Sequence, residues 1–202
     1  MTISPAPRSR PLPPTLTIKR LCPAGSADFL GFFDRDAFPD NPQWAGCYCR
    51  FPHVDHGREA WDEHDAAGNR ADVARRIDQG RMSGYMAYAE GKVVGWVNAA
   101  PSGFYPPANV GGPDPDDAHM GHILCFVVAP AWRGQGVARA LLDAVCADLK
   151  AMGLRLVQAN PRLSADGAAA NHHGPLALYE SAGFTRHRLD ESDGSVFVRR
   201  VL

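Results

Sequence analysis

The feature that most constrains this chain lies just past its middle. An apolar run from Ile123 to Val128 leads through Ala129-Pro130-Ala131-Trp132 into Arg133-Gly134-Gln135-Gly136, and a long amphipathic segment follows. A run without polar alternation is what a strand buried on both faces looks like. Beyond the glycines, Val137, Leu141, Ala144, Val145, Leu149 and Met152 recur at helical spacing, Arg139, Asp143 and Lys150 take the other side, and Gly153 closes the helix. Strand, glycine turn and helix in that order bring backbone N–H groups and the positive end of a helix dipole to one point, which suits an anion. Gly134 and Gly136 let that backbone approach closely.

The flanking segments alternate between strand and helix patterns, so the fold class is mixed α/β. Thr15 to Leu21 reads as a first strand, and Ser26 as the cap of a helix running to about Phe38. Asn69 reads as the cap of a second helix, with Val73, Ile77 and Met82 on one face. Gly84 to Pro101 gives two strands about a Glu90-Gly91 turn, and His119 to Val128 is the buried strand. Leu154 to Asn160 is a fifth strand, followed by a short helix with Pro175 at its first position and Gly183 past its end, then a terminal hairpin turning at residues 192–194. Three stretches lack a period: Pro39 to Gly68, with one helical turn expected around Glu59 to His64; Pro101 to Asp117; and Pro161 to His173. No repeat is visible.

At 202 residues the chain fits one domain, expected over 15–202, with the proline-rich residues 1–14 as a disordered or extended tail. A formal net charge of -1 argues against bulk attraction to nucleic acid or an anionic membrane. No apolar run is long enough for a membrane span, and the N-terminus lacks the apolar core of a secretory signal. Five scattered cysteines do not form a disulfide framework, which places the chain in a reducing cytoplasm. The expected partner is a small molecule.

The spacing of the glycine turn separates its candidate ligands. A nucleoside triphosphate loop needs a Lys-Ser/Thr pair that is absent, and a dinucleotide fingerprint needs a small residue where Arg139 stands and an acid where Gln158 to Asn160 stand. The pattern Arg133-Gly134-Gln135-Gly136-Val137-Ala138 closely resembles the acyl-CoA loop of the GNAT acetyltransferase superfamily. About 40 residues on, Leu176 to Phe184, "LALYESAGF", resembles the signature of that family's last helix. The likeness spans Tyr85 to Phe197.

The resemblance implies a mostly antiparallel sheet of about six to seven strands flanked by helices. Strands four and five, here Ile123 to Val128 and Leu154 to Ala159, splay apart. It implies acetyl-CoA as cosubstrate, with backbone groups of Phe126, Val127 and Val128 on the pantetheine arm. Amides of Arg133, Gly134, Gln135, Gly136, Val137 and Ala138 would hold the pyrophosphate, and Asn160 joins the cofactor-binding set. Tyr179 takes the position that protonates the departing thiolate, or else only packs against or hydrogen-bonds the cofactor. For the base, some relatives have a carboxylate where this chain has His122, with His119 as neighbour; His122 reads equally as a structural strand-end residue, and some relatives use no base. One departure is visible: the family's frequent Asn, seven positions before the tyrosine, is His172 here, with Asn171 one residue earlier and His173 following.

The activity implied is N-acetyltransfer to a primary amine of a small molecule by direct attack. A non-catalytic acyl-CoA-binding regulatory module, or transfer of another acyl group or to another acceptor, is the alternative, and a homodimer remains open. The acceptor side is expected from the irregular segments, with Trp44, Tyr48, Phe51, Phe104 and Tyr105 as walls and Asp114, Asp116 and Asp117 available to a cationic amine. Cys47, Cys49, His53 and His56 are zinc-type ligands, but the Cys-x-Cys spacing is tight and no second pair follows. Buried cysteines acting as small apolar residues, without a metal, are the expectation.

Overall fold

A computed structural model describes residues 16–164, 167, 171–190 and 193–202. The tail over 1–14 lies outside them, as does most of the segment between Ser164 and Asn171. Along the chain run β1 (Thr17–Arg20), α1 (Ser26–Arg35), α2 (Ala66–Asp78), β2 (Tyr85–Ala89), β3 (Lys92–Pro101), β4 (Met120–Val128), α3 (Val137–Ala151), β5 (Leu156–Ala159), α4 (Leu176–Ser181), β6 (Thr185–Asp190) and β7 (Ser195–Val201). The strands form one seven-stranded sheet in the order β1-β2-β3-β4-β5-β7-β6. Every pairing is antiparallel except that of β4 with β5.

Apolar side chains cover both faces of the sheet. On one face α3 buries Val137, Leu141, Leu142, Val145 and Leu149, each worth about 1.5–3 kcal/mol over leaving it in water. The helix sits so close that a Cβ on Gly121 of β4 would lie 2.7 Å from the Leu149 side chain. On the opposite face Phe29, Phe32 and Phe33 of α1 and Val73 and Ile77 of α2 pack around Trp96 of β3. The hairpin joining β2 and β3 turns as expected, with Glu90 at φ 51° and Gly91 at φ 74°, the two left-handed residues of a tight two-residue turn.

Several boundaries differ from the sequence expectation. Ser26 is the first helical residue of α1, preceded by Gly25, because a helical turn over Pro23–Gly25 has already set the direction of the chain. Helix α1 stops at Arg35. The cap of α2 is Asp65, whose carboxylate accepts from the Gly68 amide at 2.8 Å. Asn69 lies inside the helix, buried, and donates to the Gly46 carbonyl at 2.9 Å. Pro175 occupies the capping position of α4 rather than its first helical one.

The stretch before α2 is less irregular than it reads, with short helical turns at Pro42–Cys47, Phe51–His53 and Trp61–Glu63. It is tied down by Arg50, only 1% exposed. Its Nε donates to Asp72 at 2.6 Å, Nη1 to the Asn69 carbonyl oxygen at 3.3 Å, and Nη2 to Glu59. Among the described residues no helix is long and apolar enough to cross a membrane.

Candidate active site

The site begins with one extra residue. In the β3–β4 ladder Asn98 faces Cys125 and Ala99 faces Ile123, so Leu124 is left over as a bulge. The parallel ladder between β4 and β5 ends at the same place, with Ile123 opposite Ala159. Past the bulge β4 no longer pairs with β5, and residues 124–128 line a cavity of about 960 Å³. Phe33 and Phe38 from around α1, the turns between α1 and α2, and the His172–His173 turn supply the other walls.

At the far end of β4 a helical turn over Pro130–Trp132 delivers the chain to the glycines. Gly134 and Gly136 have φ of 70° and 82°, a conformation that costs any residue with a Cβ about 1–2 kcal/mol. Gly136 caps α3 with no side-chain hydrogen bond, so the first amides of a 15-residue helix, from Val137 and Ala138 onward, have no side-chain cap. The Arg133 side chain braces the turn: its Nε donates to the Val128 carbonyl at 3.0 Å, and its Nη2 reaches Asp40 at 3.3 Å. Hydrogen bonding to Arg133 holds the Asp40 carboxyl below its ordinary range. Gln135 folds back on the Ala131 carbonyl at 2.6 Å.

The gap between β4 and β5 is occupied by the chain itself. The Phe126 amide donates to the His172 carbonyl at 2.6 Å, and the Tyr179 hydroxyl donates to the His173 carbonyl at 2.7 Å. Gly174, at φ 82°, completes the turn; a Cβ there would lie 3.1 Å from Tyr179 and 3.2 Å from Phe126. Tyr179 is fully buried, edge-on to Phe126 and Phe184, and burial raises its pKa well above the ordinary phenol value. It is a neutral proton donor throughout the physiological range. Asn160, at the end of β5, has a side-chain oxygen without a partner and does not line the cavity.

His122 is placed away from the cavity. It sits on the paired half of β4, opposite Gln158 of β5, 1% exposed, with its Nε2 2.8 Å from the Ser102 hydroxyl. Burial pushes its pKa down to about 4. The geometry thus gives it to the frame of the sheet, and the cavity walls do not include it.

Of the aromatic residues expected around the acceptor, Trp44 and Phe51 line the cavity, joined by Phe33, Phe38 and Trp61, which sequence reasoning missed. Tyr48 turns away to Asp34, and Tyr105 is buried with its hydroxyl on the Asn98 carbonyl oxygen at 2.7 Å. Phe104 lies on a separate surface pocket. The acidic loop is also elsewhere: Asp114 is paired with Arg199, Asp116 lies 3.8 Å from the same guanidinium, and Asp117 accepts from the Asp114 amide. Among the described residues the one carboxylate lining the cavity is that of Asp193. Cys47, Cys49 and Cys125 line it as well, and no group of three or more metal-ligating side chains is found among the described residues.

A parallel strand pair that parts beside the uncapped start of a long helix defines a protein built to take an extended, anionic-ended ligand. A model of the acetyltransferase (GNAT) family matches residues 47–184, and the chain belongs to that family. Among solved structures it is similar to YncA from Salmonella typhimurium with its cofactor acetyl-CoA, at 17% identity and a TM-score of 0.55, covering 93% of this chain and 94% of that one. PaiA N-acetyltransferase from Thermoplasma acidophilum in complex with coenzyme A aligns at 11% identity and a TM-score of 0.56, over 93% and 99% of the two chains. Ribosomal-protein-alanine N-acetyltransferase from Brucella melitensis aligns at 19% identity and 0.54, over 92% and 99%. At these identities the likeness is one of fold. Among curated proteins none matches.

Proposed function

We propose that this protein transfers an acetyl group from acetyl-CoA to a primary amine of a small molecule, in the cytoplasm. The observation that carries the reading is that β4 outruns β5, whose last rung is Ile123 opposite Ala159 beside the bulge at Leu124, on the same strand that runs into the glycine turn. A pantetheine arm lying along Phe126 to Val128 then has its diphosphate at the amides of Arg133 to Ala138. The family match and the neighbours crystallised with acetyl-CoA or coenzyme A support this cosubstrate. Tyr179, a protonated phenol, donates to the departing thiolate, and the unpartnered side-chain oxygen of Asn160, at the end of β5, joins the cofactor-binding set only once the 171–174 turn withdraws.

The amine has to arrive neutral. The acceptor walls are aromatic, and a desolvating pocket lowers an ammonium pKa by itself, so amine attack does not need His122 as a base. A small acceptor suits an aromatic-walled cavity of about 960 Å³. Five free cysteines suit a reducing compartment. One observation favours the alternative of a non-catalytic acyl-CoA-binding module: the Phe126 amide and the Tyr179 hydroxyl are both engaged by the 172–173 turn.

The test is calorimetric binding of acetyl-CoA followed by coenzyme A release over a panel of amines, read by chromatography. Binding with amine-dependent release supports the enzyme. Binding without release for any amine favours the module, and absence of binding removes both.

A further inference from the structure

The helical turn over Phe51–His53 stands beside the part of β4 that the coenzyme leaves free. With a pantetheine arm along Phe126 to Val128, the cavity walls at Leu124 and Cys125 are left to the acceptor. Asn98 faces Cys125 across the β3–β4 ladder, is fully buried, and reaches from there to the turn. Its Nδ2 lies 3.4 Å from the Cys49 carbonyl oxygen and 3.0 Å from His53 Nε2. The Tyr105 hydroxyl, donating to Asn98 Oδ1 at 2.7 Å, fixes which way that amide points. Asn109 adds a second clamp, its Nδ2 donating to the carbonyls of Pro52 at 3.0 Å and Val54 at 2.7 Å. Phe51 is thereby held next to the stretch of β4 that has just left β5.

What this turn presents is aromatic. Phe51 lines the cavity and is nonetheless 48% exposed. Trp61 lines it as well and meets Phe51 edge-on, 5.1 Å between ring centroids at 66°. His56 lies against Phe51 at 4.1 Å. Arg50 anchors the group: its guanidinium is 5.9 Å from the Trp61 ring, and its hydrogen bonds run to Glu59, Asn69 and Asp72. Rings fixed in place and left half bare at a cavity are a seat for a flat apolar group, which gains both area burial and ring-to-ring contact there.

The charge around the cavity narrows the occupant further. A polyamine or an aminoglycoside gives up hydration at every ammonium and needs a carboxylate in exchange. Among the described residues the lining offers one, Asp193, against the two guanidiniums of Arg133 and Arg162. One carboxylate can meet one ammonium, that of the reacting amine before it sheds its proton. The remainder of the acceptor meets rings.

We propose that the acceptor is an arylalkylamine, a primary amine whose one aromatic ring is seated on Phe51 and Trp61 while its nitrogen reaches the thioester beside Leu124. The inference rests on the acetyl-CoA reading above and names the substrate class of that site. Phe51 and Trp61 set the specificity, and Arg50 and Asn98 are positioning residues for them. An aryl group gains over an alkyl chain of similar size because ring pairs contribute beyond the area they bury.

The test is steady-state coenzyme A release by the full chain with acetyl-CoA and four amines: 2-phenylethylamine, n-hexylamine, spermidine and kanamycin. The expected kcat/KM for 2-phenylethylamine is at least tenfold above that for each of the others. Phe51→Ala and Trp61→Ala should each lower the ratio of 2-phenylethylamine to n-hexylamine at least fivefold, through KM, and Phe51→Tyr should keep it. A loosened fold would depress both amines together. Calorimetric titration of each variant with coenzyme A separates a lost acceptor seat from a lost cosubstrate site. Use of n-hexylamine, spermidine or kanamycin as well as the aryl amine, or an aryl preference that survives both alanine variants, would overturn the inference and leave the acetyltransferase standing. Absence of coenzyme A release with every amine would remove both.

Discussion

The backbone N–H of Phe126 donates to the carbonyl of His172 at 2.6 Å, although Phe126 lies on the strand edge that an acyl-CoA would have to use. One amide hydrogen cannot serve the His172 carbonyl and a pantetheine carbonyl at once. Cosubstrate binding therefore requires the turn at 171–174 to withdraw. Hydrogen–deuterium exchange is expected to show faster uptake across that turn when coenzyme A is added. Unchanged uptake there, with binding verified by calorimetry, would mean the ligand lies elsewhere.

Gly136→Ala places a Cβ on a residue at φ 82°, at a strain of about 1–2 kcal/mol, and tilts the first amides of α3. Affinity for coenzyme A should fall at least tenfold. Far-ultraviolet circular dichroism should keep its shape. Equal affinity for parent and variant would dissociate the turn from the diphosphate.

Tyr179→Phe removes a proton donor and frees the His173 carbonyl. Turnover should drop on the order of 100-fold, the scale of a general acid, with coenzyme A affinity within a few-fold of the parent. Parallel losses in both would assign Tyr179 to binding alone.

His122→Ala should lower stability by about 1–3 kcal/mol, because the buried Ser102 hydroxyl loses a partner. The pH profile of turnover should keep its acidic limb, since the imidazole, pushed down to about 4 by burial, is neutral across the working range and faces no cavity. Disappearance of that limb would restore His122 as the base.

Arg50→Ala should be the most destabilising single change among the charged residues of the α1–α2 connection, at roughly 1–3 kcal/mol, because buried Asp72 and Asn69 lose a guanidinium donor while Arg75 and Arg76 remain on Asp72. The exposed Arg139–Asp143 pair is the contrast, at less than about 1 kcal/mol. For Asp72, burial pushes the carboxyl up, but Arg76 and Arg50 outweigh it and hold it below the usual value; for Glu59 the bond to Arg50 does the same. Both folded values lie below the unfolded ones. The stabilisation is thus complete above about pH 4 and fades as pH falls through the folded values. Urea midpoints measured from neutral to acid pH should fall more steeply for the parent than for Arg50→Ala.

The turn and α3 were legible in the sequence because glycine has one conformational use that other residues lack, and both Gly134 and Gly136 employ it. The bulge was not. Ile123 to Val128 is uniformly apolar, and an extra residue in a ladder leaves no mark when each neighbour would be buried either way. Arg50 was equally silent: its carboxylates lie 9 and 22 positions away in sequence, beyond any local pattern. The acidic loop misled because charge at a loop tip suggests a ligand, whereas here Arg199 from β7 engages Asp114 and Asp116. Asn69 misled for a related reason, since the amide that would cap a helix also bridges two segments.

Leu124 shows how little length separates a closed sheet from an open one. It falls one residue past the last rung between β4 and β5, Ile123 opposite Ala159, where β5 itself ends. Whatever this protein holds lies where a strand has outrun one neighbour and slipped a residue against the other.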